Sequence, residues 1–239
     1  FPDVKTIEDF HRQSPEYRDA VKKIVRSHAL NELHGAQVFD EPAIALAPTP
    51  YAKWLTCRVA MEEYHHHVRF KKLADEIGVM PEELDTNNKR PLSIFEFTLN
   101  TWEEFCVIKM LGDLAEILQV EDLLHCSFVP LRNLSRTTMP EEKFHAQFGE
   151  DFCAELVKTP AGKARVQEMV NRFYPAAPLF FGAAKSKNNE MYLKFGIKQR
   201  SNEAMRAFHE YKGRLKSGAM PRSATAPRLR DVFSGRDVE

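Results

Sequence analysis

Apolar side chains recur at helical spacing along most of this chain, whereas the alternation that is typical of strands is rare. The clearest case is one face of the segment between residues 51 and 77. Seven positions share that face, and four of them, with one glutamate, one histidine and one threonine, form an apolar stripe: Thr56, Val59, Ala60, Glu63, His66, Phe70 and Leu73. The pattern predicts an all-α protein in which each long helix buries one face.

Starts and stops of helices divide the chain further. Ser14-Pro15-Glu16 is typical of a helix start, and Gly78 is typical of a helix end. The predicted helices cover roughly 14–38, 51–77, 93–120 (as one helix or a pair), 121–128, 137–158, 161–174 and 188–215. This order predicts a four-helix bundle in residues 1–215 with additional C-terminal helices, followed by an extended basic tail in residues 216–239.

A pattern of acids and histidines occurs twice along these helices. A lone acid in one helix is followed about thirty residues later by Glu-x-x-His in the next. The two copies comprise Glu32 with Glu63 and His66, and Asp113 with Glu142 and His145. Two acids and two Glu-x-x-His pairs are the ligand set of a carboxylate-bridged pair of metal ions in a four-helix bundle. The pattern therefore predicts a di-metal site.

The helical faces decide between neighbouring alternatives. Glu62 and His65 also have Glu-x-x-His spacing, but their face carries Arg58, Arg69 and Lys72, so we expect it to be solvated. Glu116 lies close to the face of Asp113 and stays open as a rival ligand. We expect His28, His67 and Glu116 to support the ligands from outside, with ordinary packing as the alternative for His28.

Burial of four carboxylates in one core is tolerated only with compensating charge, because each desolvated carboxylate costs several kcal/mol. Two divalent cations would neutralise all four. Imidazole and carboxylate ligands suit iron, manganese or zinc, and the bridged arrangement in a bundle favours iron. The expected cofactor is two iron ions, with an Fe/Mn pair as the alternative.

Bulk composition excludes several classes of function. Lysine plus arginine and aspartate plus glutamate number 34 each, which gives no basic excess for binding nucleic acid. No apolar run has the length of a membrane span, and no secretory segment is seen. The four cysteines are widely spaced, as in a reduced protein. We expect a cytoplasmic protein without a nucleic-acid or membrane partner. Because no glycine-rich phosphate loop occurs, electrons for redox chemistry would come from a separate protein.

The segments around these residues resemble the catalytic subunits of ring-1,2-phenylacetyl-CoA epoxidases, the phenylacetic acid catabolic family of ferritin-like di-iron oxygenases. The similarity lies in Ser27–Gly35, in Ser93–Leu99, in Leu111-Gly112-Asp113, in Glu141–His145 and in Asn171–Gly182. The family uses Asp at the place of Asp113, which favours Asp113 over Glu116. One departure is Glu63-Tyr64-His65-His66, where the family has Glu-Ala-Gly-His.

The resemblance implies a ferritin-like bundle and a di-iron monooxygenase. Such an enzyme uses O2 and electrons from a separate reductase to insert one oxygen atom into an activated small-molecule substrate, in the family an aromatic acyl-CoA thioester. It implies Glu63 and Glu142 as bridging ligands, and a homo- or hetero-oligomer. The alternatives are an oxidase or oxygenase of a different small molecule and a non-catalytic scaffold subunit, which the six filled ligand positions disfavour.

Overall fold

The helices of this protein were located in a computed structural model, which describes residues 1–86 and 93–217. Within these ranges the α-helices, numbered in chain order, are α1 (Ile7–His11), α2 (Pro15–Gly35), α3 (Glu41–Leu46), α4 (Pro50–Glu76), α5 (Trp102–Leu123), α6 (Val129–Leu156), α7 (Pro160–Phe173), α8 (Lys187–Lys194) and α9 (Asn202–Ser217). The described residues contain no β-strand beyond an isolated bridge between Val4 and Phe128. The all-α prediction is therefore confirmed.

Two helical hairpins form the central bundle. Helix α2 packs along α4, and α5 packs along α6, and the pairs meet through α4 and α6. One apolar cluster, with Phe10, Tyr17 and Phe70, fills the end near the chain start. A second cluster, with Phe105 and Leu111, fills the opposite end. The site described below lies between helices of all four, as expected for a ferritin-like bundle.

Capping residues explain where the predicted boundaries were wrong. The predicted helix or helix pair from Ser93 is a short 3-10 helix, Ser93–Glu96, followed by α5, which begins at Trp102 because Thr101 and Glu104 form a reciprocal capping box. Helix α5 continues to Leu123, so the helix predicted at 121–128 does not exist as a separate element, and α6 begins at Val129 with Pro140 in its interior. The single helix predicted for 188–215 is split into α8 and α9, with a turn at Gly196 (φ +61°).

The additional C-terminal helices pack against the bundle. Helix α7 covers one side of α5, and the ring of His209 on α9 contacts the carbonyl oxygen of Leu111 through Nε2, at 2.8 Å. The predicted basic tail falls on residues 216–239, nearly all of which lie outside the described residues. Within the described part of the chain, no helix has the length and apolar character of a membrane span.

Gly149 sets the distance between α5 and α6. A Cβ atom on Gly149 would lie 2.3 Å from the backbone nitrogen of Met110 and 2.8 Å from the carbonyl oxygen of Cys106. Real carbon atoms do not approach backbone so closely, so the helices must separate to admit any side chain. Glycine at this position therefore permits the close packing that brings the side chains of α5 and α6 together.

We predict that Gly149→Ala lowers the free energy of unfolding by about 1–3 kcal/mol, because the methyl group overpacks the helix interface. The matched control is Gly112→Ala on α5, where a Cβ atom meets only side-chain atoms, at 3.9 Å. That control should be neutral or stabilising by up to about 1 kcal/mol. Urea unfolding followed by circular dichroism measures both, and equal stabilities for the two variants would contradict the prediction.

Candidate metal centre

Six side chains that the sequence singled out converge in the middle of the bundle. One group joins Glu32, Glu63, His66 and Glu142, and another joins Glu63, Asp113 and His145; within each group the ligand atoms lie within 4.8 Å of one another. All six residues are at most 9% exposed. Glu63 belongs to both groups. The arrangement therefore has the form of two adjacent sites that share one carboxylate, which fits a pair of metal ions.

Each histidine of the cluster is held by a glutamate from the other Glu-x-x-His segment. His66 Nε2 on α4 lies 2.8 Å from Glu141 Oε2 on α6, and His145 Nε2 on α6 lies 2.9 Å from Glu62 Oε2 on α4. Glu62 and Glu141 each directly precede a predicted ligand glutamate in the sequence. The two Glu-Glu-x-x-His segments therefore brace each other's histidine ring, and this fixes the direction of the Nδ1 atoms.

Two arginines complete this brace. Arg58 donates to Glu62 through Nε at 2.8 Å, and its guanidinium lies 3.8 Å from the centre of the Phe144 ring. Arg69 donates two hydrogen bonds to Glu141, at 2.7 and 3.2 Å. Although partial burial opposes it, the histidine and arginine contacts lower the pKa of both glutamates. Each brace glutamate is therefore an anion that orients an imidazole N–H, as carboxylates behind metal-binding histidines do.

The orientation of the rings leaves both Nδ1 atoms facing carboxylates. His66 Nδ1 is 2.9 Å from Glu142 Oε1, and His145 Nδ1 is 3.0 Å from Glu63 Oε1, yet neither nitrogen has a hydrogen bond of acceptable geometry. An imidazole whose Nε2–H is donated has a lone pair on Nδ1, and a lone pair facing carboxylate lone pairs requires a cation between them. These two buried nitrogen atoms, which have no hydrogen-bond partner, therefore fit the ligation of a metal ion.

Protons are the other cations that this cluster can hold. Burial by itself lowers the pKa of His145, but the charge of Glu63 and contacts with Glu62 and Glu63 raise it to about 10. The pKa of His66 is likewise raised by Glu142, Glu32 and Glu63 against the effect of burial. Because metal ligation requires a bare Nδ1, binding of metal ions must release these protons.

Burial has the largest effect on the pKa values of the carboxylates in the cluster. It raises the pKa of Glu32 and of Asp113 well above the usual range, and it raises that of Glu142, to which the charge of Glu63 also contributes. Glu63 differs: burial would raise its pKa, but Lys109 and His145 hold it well below its usual value. When no metal is bound, bound protons and the charge of one lysine therefore offset the desolvation of the carboxylates and their repulsion of one another.

A buried lysine, Lys109, lies one helical turn before Asp113 on α5 and contributes a positive charge to the cluster. Its ammonium is 2.6 Å from Glu63 Oε1, 2.8 Å from Asp113 Oδ2 and 3.1 Å from Asp40 Oδ1, and the residue is 3% exposed. Although burial lowers the pKa of Lys109, these three carboxylates raise it well above its usual value. The lysine therefore carries its charge against the second group of predicted ligands.

Asp40, the third carboxylate at Lys109, lies at the end of a π-helical turn that spans Ala36–Asp40 and links α2 to α3. A π-turn adds a residue to a helix and redirects its side chains, and such turns are common at functional sites. Burial raises the pKa of Asp40 to about 6 despite the charge of Lys109. The sequence offered one signal for this contact, a lysine four residues before Asp113 in a largely apolar helix.

The three residues that were expected to support the ligands, His28, His67 and Glu116, differ in what they contact. Glu116 forms a third group with His28 and Glu32, and His28 Nδ1 is 3.5 Å from Glu116 Oε1. The His28 ring also stacks on Phe70, so both interpretations of His28 describe part of its environment. His67 contacts the carbonyl oxygen of Ala29 through Nδ1 at 2.7 Å, which ties α4 to α2.

One expectation about exposure was wrong. Glu62 is 8% exposed, although its helical frame indicated a solvated face, because Arg58 and His145 draw the carboxylate inward. His65 is exposed, as expected. Tyr64, the bulky departure from the family pattern, donates its hydroxyl to Glu41 and does not line the cavity beside the cluster.

A cavity of about 60 Å³ adjoins the cluster. Predicted ligands form one wall, and apolar side chains form another: Phe39, Phe95, Ile108, Phe173 and Phe180. Cavities that hold a benzene ring are roughly 150 Å³, so this one admits a diatomic gas or water but not an aromatic ring without movement of its walls. The cluster of predicted ligands is therefore bordered by a small, partly apolar cavity.

Replacement of Lys109 by methionine removes the only charge that the described side chains place against Asp40, Glu63 and Asp113 together. We predict that the metal-free variant loses roughly 3–5 kcal/mol of unfolding free energy, because buried carboxylates remain uncompensated. Iron(II) should restore more stability to this variant than to the parent. Thermal unfolding with and without metal measures the effect; Lys163→Met, at an exposed position on α7, is the control. Unchanged stability of metal-free Lys109→Met would contradict it.

Glu62→Gln tests the brace. The amide keeps the size of the side chain but loses the charge that orients His145. We predict an affinity for iron(II) lower by about 10–100-fold, measured by anaerobic titration, with the helical circular dichroism unchanged. Glu155→Gln, where the ion pair with Lys158 is exposed, should bind metal like the parent. A normal affinity in Glu62→Gln would show that the brace does not act on the metal.

Comparison with known proteins identifies the family of this chain. The pattern that defines the phenylacetic acid catabolic protein family matches residues 4–217. A relative, one of the subunits of the 1,2-phenylacetyl-CoA epoxidase of Escherichia coli (strain K12), is 28% identical over 198 residues. The match covers 80% of this chain but 63% of that protein, so the chain spans less than two thirds of its relative. The chain belongs to the phenylacetic acid catabolic protein family.

Proposed function

We propose that this protein is a di-iron monooxygenase of the epoxidase type. The observation that carries the proposal is the pair of ligand groups that share Glu63, each with a histidine whose buried Nδ1 faces carboxylates without a hydrogen bond. Glu32, Glu63, His66 and Glu142 would hold one iron ion, and Glu63, Asp113 and His145 would hold the other. The iron pair would supply O2 activation, with one oxygen atom inserted into the substrate.

The side chains of this chain contribute three further effects. Glu62 and Glu141 orient the histidines, so that two nitrogen atoms point at a common centre. Lys109 balances charge at Glu63 and Asp113. The phenylalanine rings of the cavity place an apolar wall beside the centre, and a low-dielectric surrounding strengthens each electrostatic interaction there. These effects support chemistry at a preorganised site.

The substrate in this proposal is an activated aromatic acyl group, as a CoA thioester, because the family and the relative point to phenylacetyl-CoA. Electrons would come from a separate reductase. The relative is one subunit of its epoxidase, which supports assembly of this chain with further chains. The small cavity favours a second candidate, oxygenation of a smaller molecule, because a phenyl ring requires displacement of its walls.

Glu142→Ala tests the metal assignment. Glu142 is 1% exposed and is the shared neighbour of His66 and His145, so we predict that its loss abolishes iron binding while leaving the helices intact. Iron per chain, measured after anaerobic purification, should be near two in the parent and near zero in the variant. Circular dichroism checks the fold. A variant that still holds two iron ions would contradict the ligand assignment.

The reaction is tested with iron-loaded protein, a reductase, ¹⁸O2 and phenylacetyl-CoA. The proposal predicts a product that carries one labelled oxygen atom. If the loaded protein consumes O2 but leaves phenylacetyl-CoA unchanged, the substrate is a different molecule. If the loaded protein does not consume O2 under reduction, the oxygenase proposal is wrong.

A further inference from the structure

Three buried side chains beside the predicted iron pair form a separate group of possible metal ligands: His28 and Glu32 on α2, and Glu116 on α5. One ligand atom from each residue lies within 4.8 Å of those from the other two. Of the three, only Glu32 also belongs to a ligand group of the iron pair. The group therefore contains two buried side chains, His28 and Glu116, that the proposed function does not use.

Glu116 has a buried oxygen atom without a partner. The residue is 9% exposed, and its Oε1 has no hydrogen-bond partner among the described residues. This oxygen lies 3.5 Å from Nδ1 of His28, which is long for a hydrogen bond. Two ligand atoms that are each about 2.1 Å from a tetrahedral ion lie about 3.4 Å from each other. The separation therefore fits two ligands of one metal ion better than a direct hydrogen bond.

Packing holds the ring of His28 in place. The ring stacks on Phe70, with 5.1 Å between the ring centres and 13° between the ring planes. Stacking on an apolar ring fixes the direction of an imidazole without occupying either of its nitrogen atoms. The nearest contact that the structure gives to Nδ1 of His28 is the long one to Glu116. His28 therefore offers an oriented nitrogen ligand beside the unpartnered carboxylate.

The positive charges of the chain do not neutralise this group by direct contact. Lys109 forms its ion pairs with other carboxylates of the cluster. Burial lowers the pKa of Lys198, and its side-chain nitrogen donates to Gln119, so any charge it carries acts on Glu116 at longer range. Among the ion pairs of the described residues, none joins a lysine or an arginine to Glu32 or Glu116; both are paired only with histidines. The group therefore retains the charge that a metal ion would balance.

We propose that His28, Glu32 and Glu116 form a third metal site, which binds a divalent transition-metal ion. One imidazole and two carboxylates are ligands that suit iron(II), manganese(II) and zinc(II). The third ion is the most weakly bound, because it shares Glu32 with an ion of the pair and the two cations repel each other. We therefore expect the third site to fill only when iron(II) exceeds two ions per chain.

The role of this site is delivery of iron(II) to the pair, and this part of the inference rests on the proposed function. Glu32 and Glu116 both line the cavity that adjoins the cluster. Near Asp113, which lines the same cavity, the charge of Lys109 repels an incoming cation. An ion that enters along Glu116 and Glu32 meets carboxylates without a lysine in contact. Because Glu32 is a ligand in both groups, it can pass the ion to the first iron site.

Dialysis of the metal-free full chain against excess iron(II), without oxygen, counts the bound ions. The parent should hold near three ions per chain, and Glu116→Gln should hold near two, because the amide lacks the charge that the third ion needs. His28→Gln removes a different ligand of the same site and should also hold near two. The control Glu155→Gln, at an exposed ion pair on α6, should hold as many ions as the parent. Circular dichroism checks that each variant is folded.

The delivery role is measured as the rate at which iron(II) becomes protected from a chelator that is added after mixing. Glu116→Gln should load its pair at least about tenfold more slowly than the parent, because it loses a negative charge on the path of the ion. The final number of protected ions, two per chain, should be the same. Equal loading rates would overturn the delivery role.

Equal ion counts for Glu116→Gln and the parent would overturn the third site. Loss of every ion in Glu116→Gln would also overturn it, because Glu116 would then be a ligand of the pair. Glu142→Ala separates this inference from the proposed function. If Glu142→Ala keeps the parent's ion count while Glu116→Gln loses one ion, the iron pair is wrongly assigned and the third site stands.

Discussion

Everything in this molecule depends on the electrostatic cost of gathering carboxylates in a core. Glu32, Glu63, Asp113 and Glu142 lie together at the centre of the bundle, where isolated ionised acids are not tolerated. The compensation that the chain itself supplies is incomplete: one ammonium, that of Lys109, and protons on the two histidines. A pair of divalent cations would balance the same acids without protons. The helices therefore enclose a cluster of acids and histidines that could hold metal ions.

Two features of the fold position the side chains of this site: the close contact between α5 and α6, and the contacts of Glu62 and Glu141 with the histidines. Gly149 lets α6 approach α5 closely at the level of Cys106 and Met110. The repeated Glu-Glu-x-x-His segment places one glutamate in the cluster and the other behind the opposite histidine. Each brace glutamate is in turn held by an arginine of α4, so both histidine rings are fixed by a chain of two hydrogen bonds.

The sequence predicted the fold class and the convergence of six side chains, because helical periodicity and the acid-to-motif spacing are local properties of the chain. It did not predict the start of α5 or of α6, since Thr101 and Pro130 compete with several equally good signals nearby. Nor did it place Asp40 or the buried carboxylate of Glu62. Their positions depend on contacts between helices and on a π-turn, which periodicity within one helix does not encode.

Anomalous diffraction at the iron edge, from crystals grown without oxygen in the presence of iron(II), measures the central claim most directly. We expect two peaks inside the bundle, roughly 3.5–4 Å apart, with Glu63 in contact with both. A single peak, or peaks only on the surface of the protein, would contradict it.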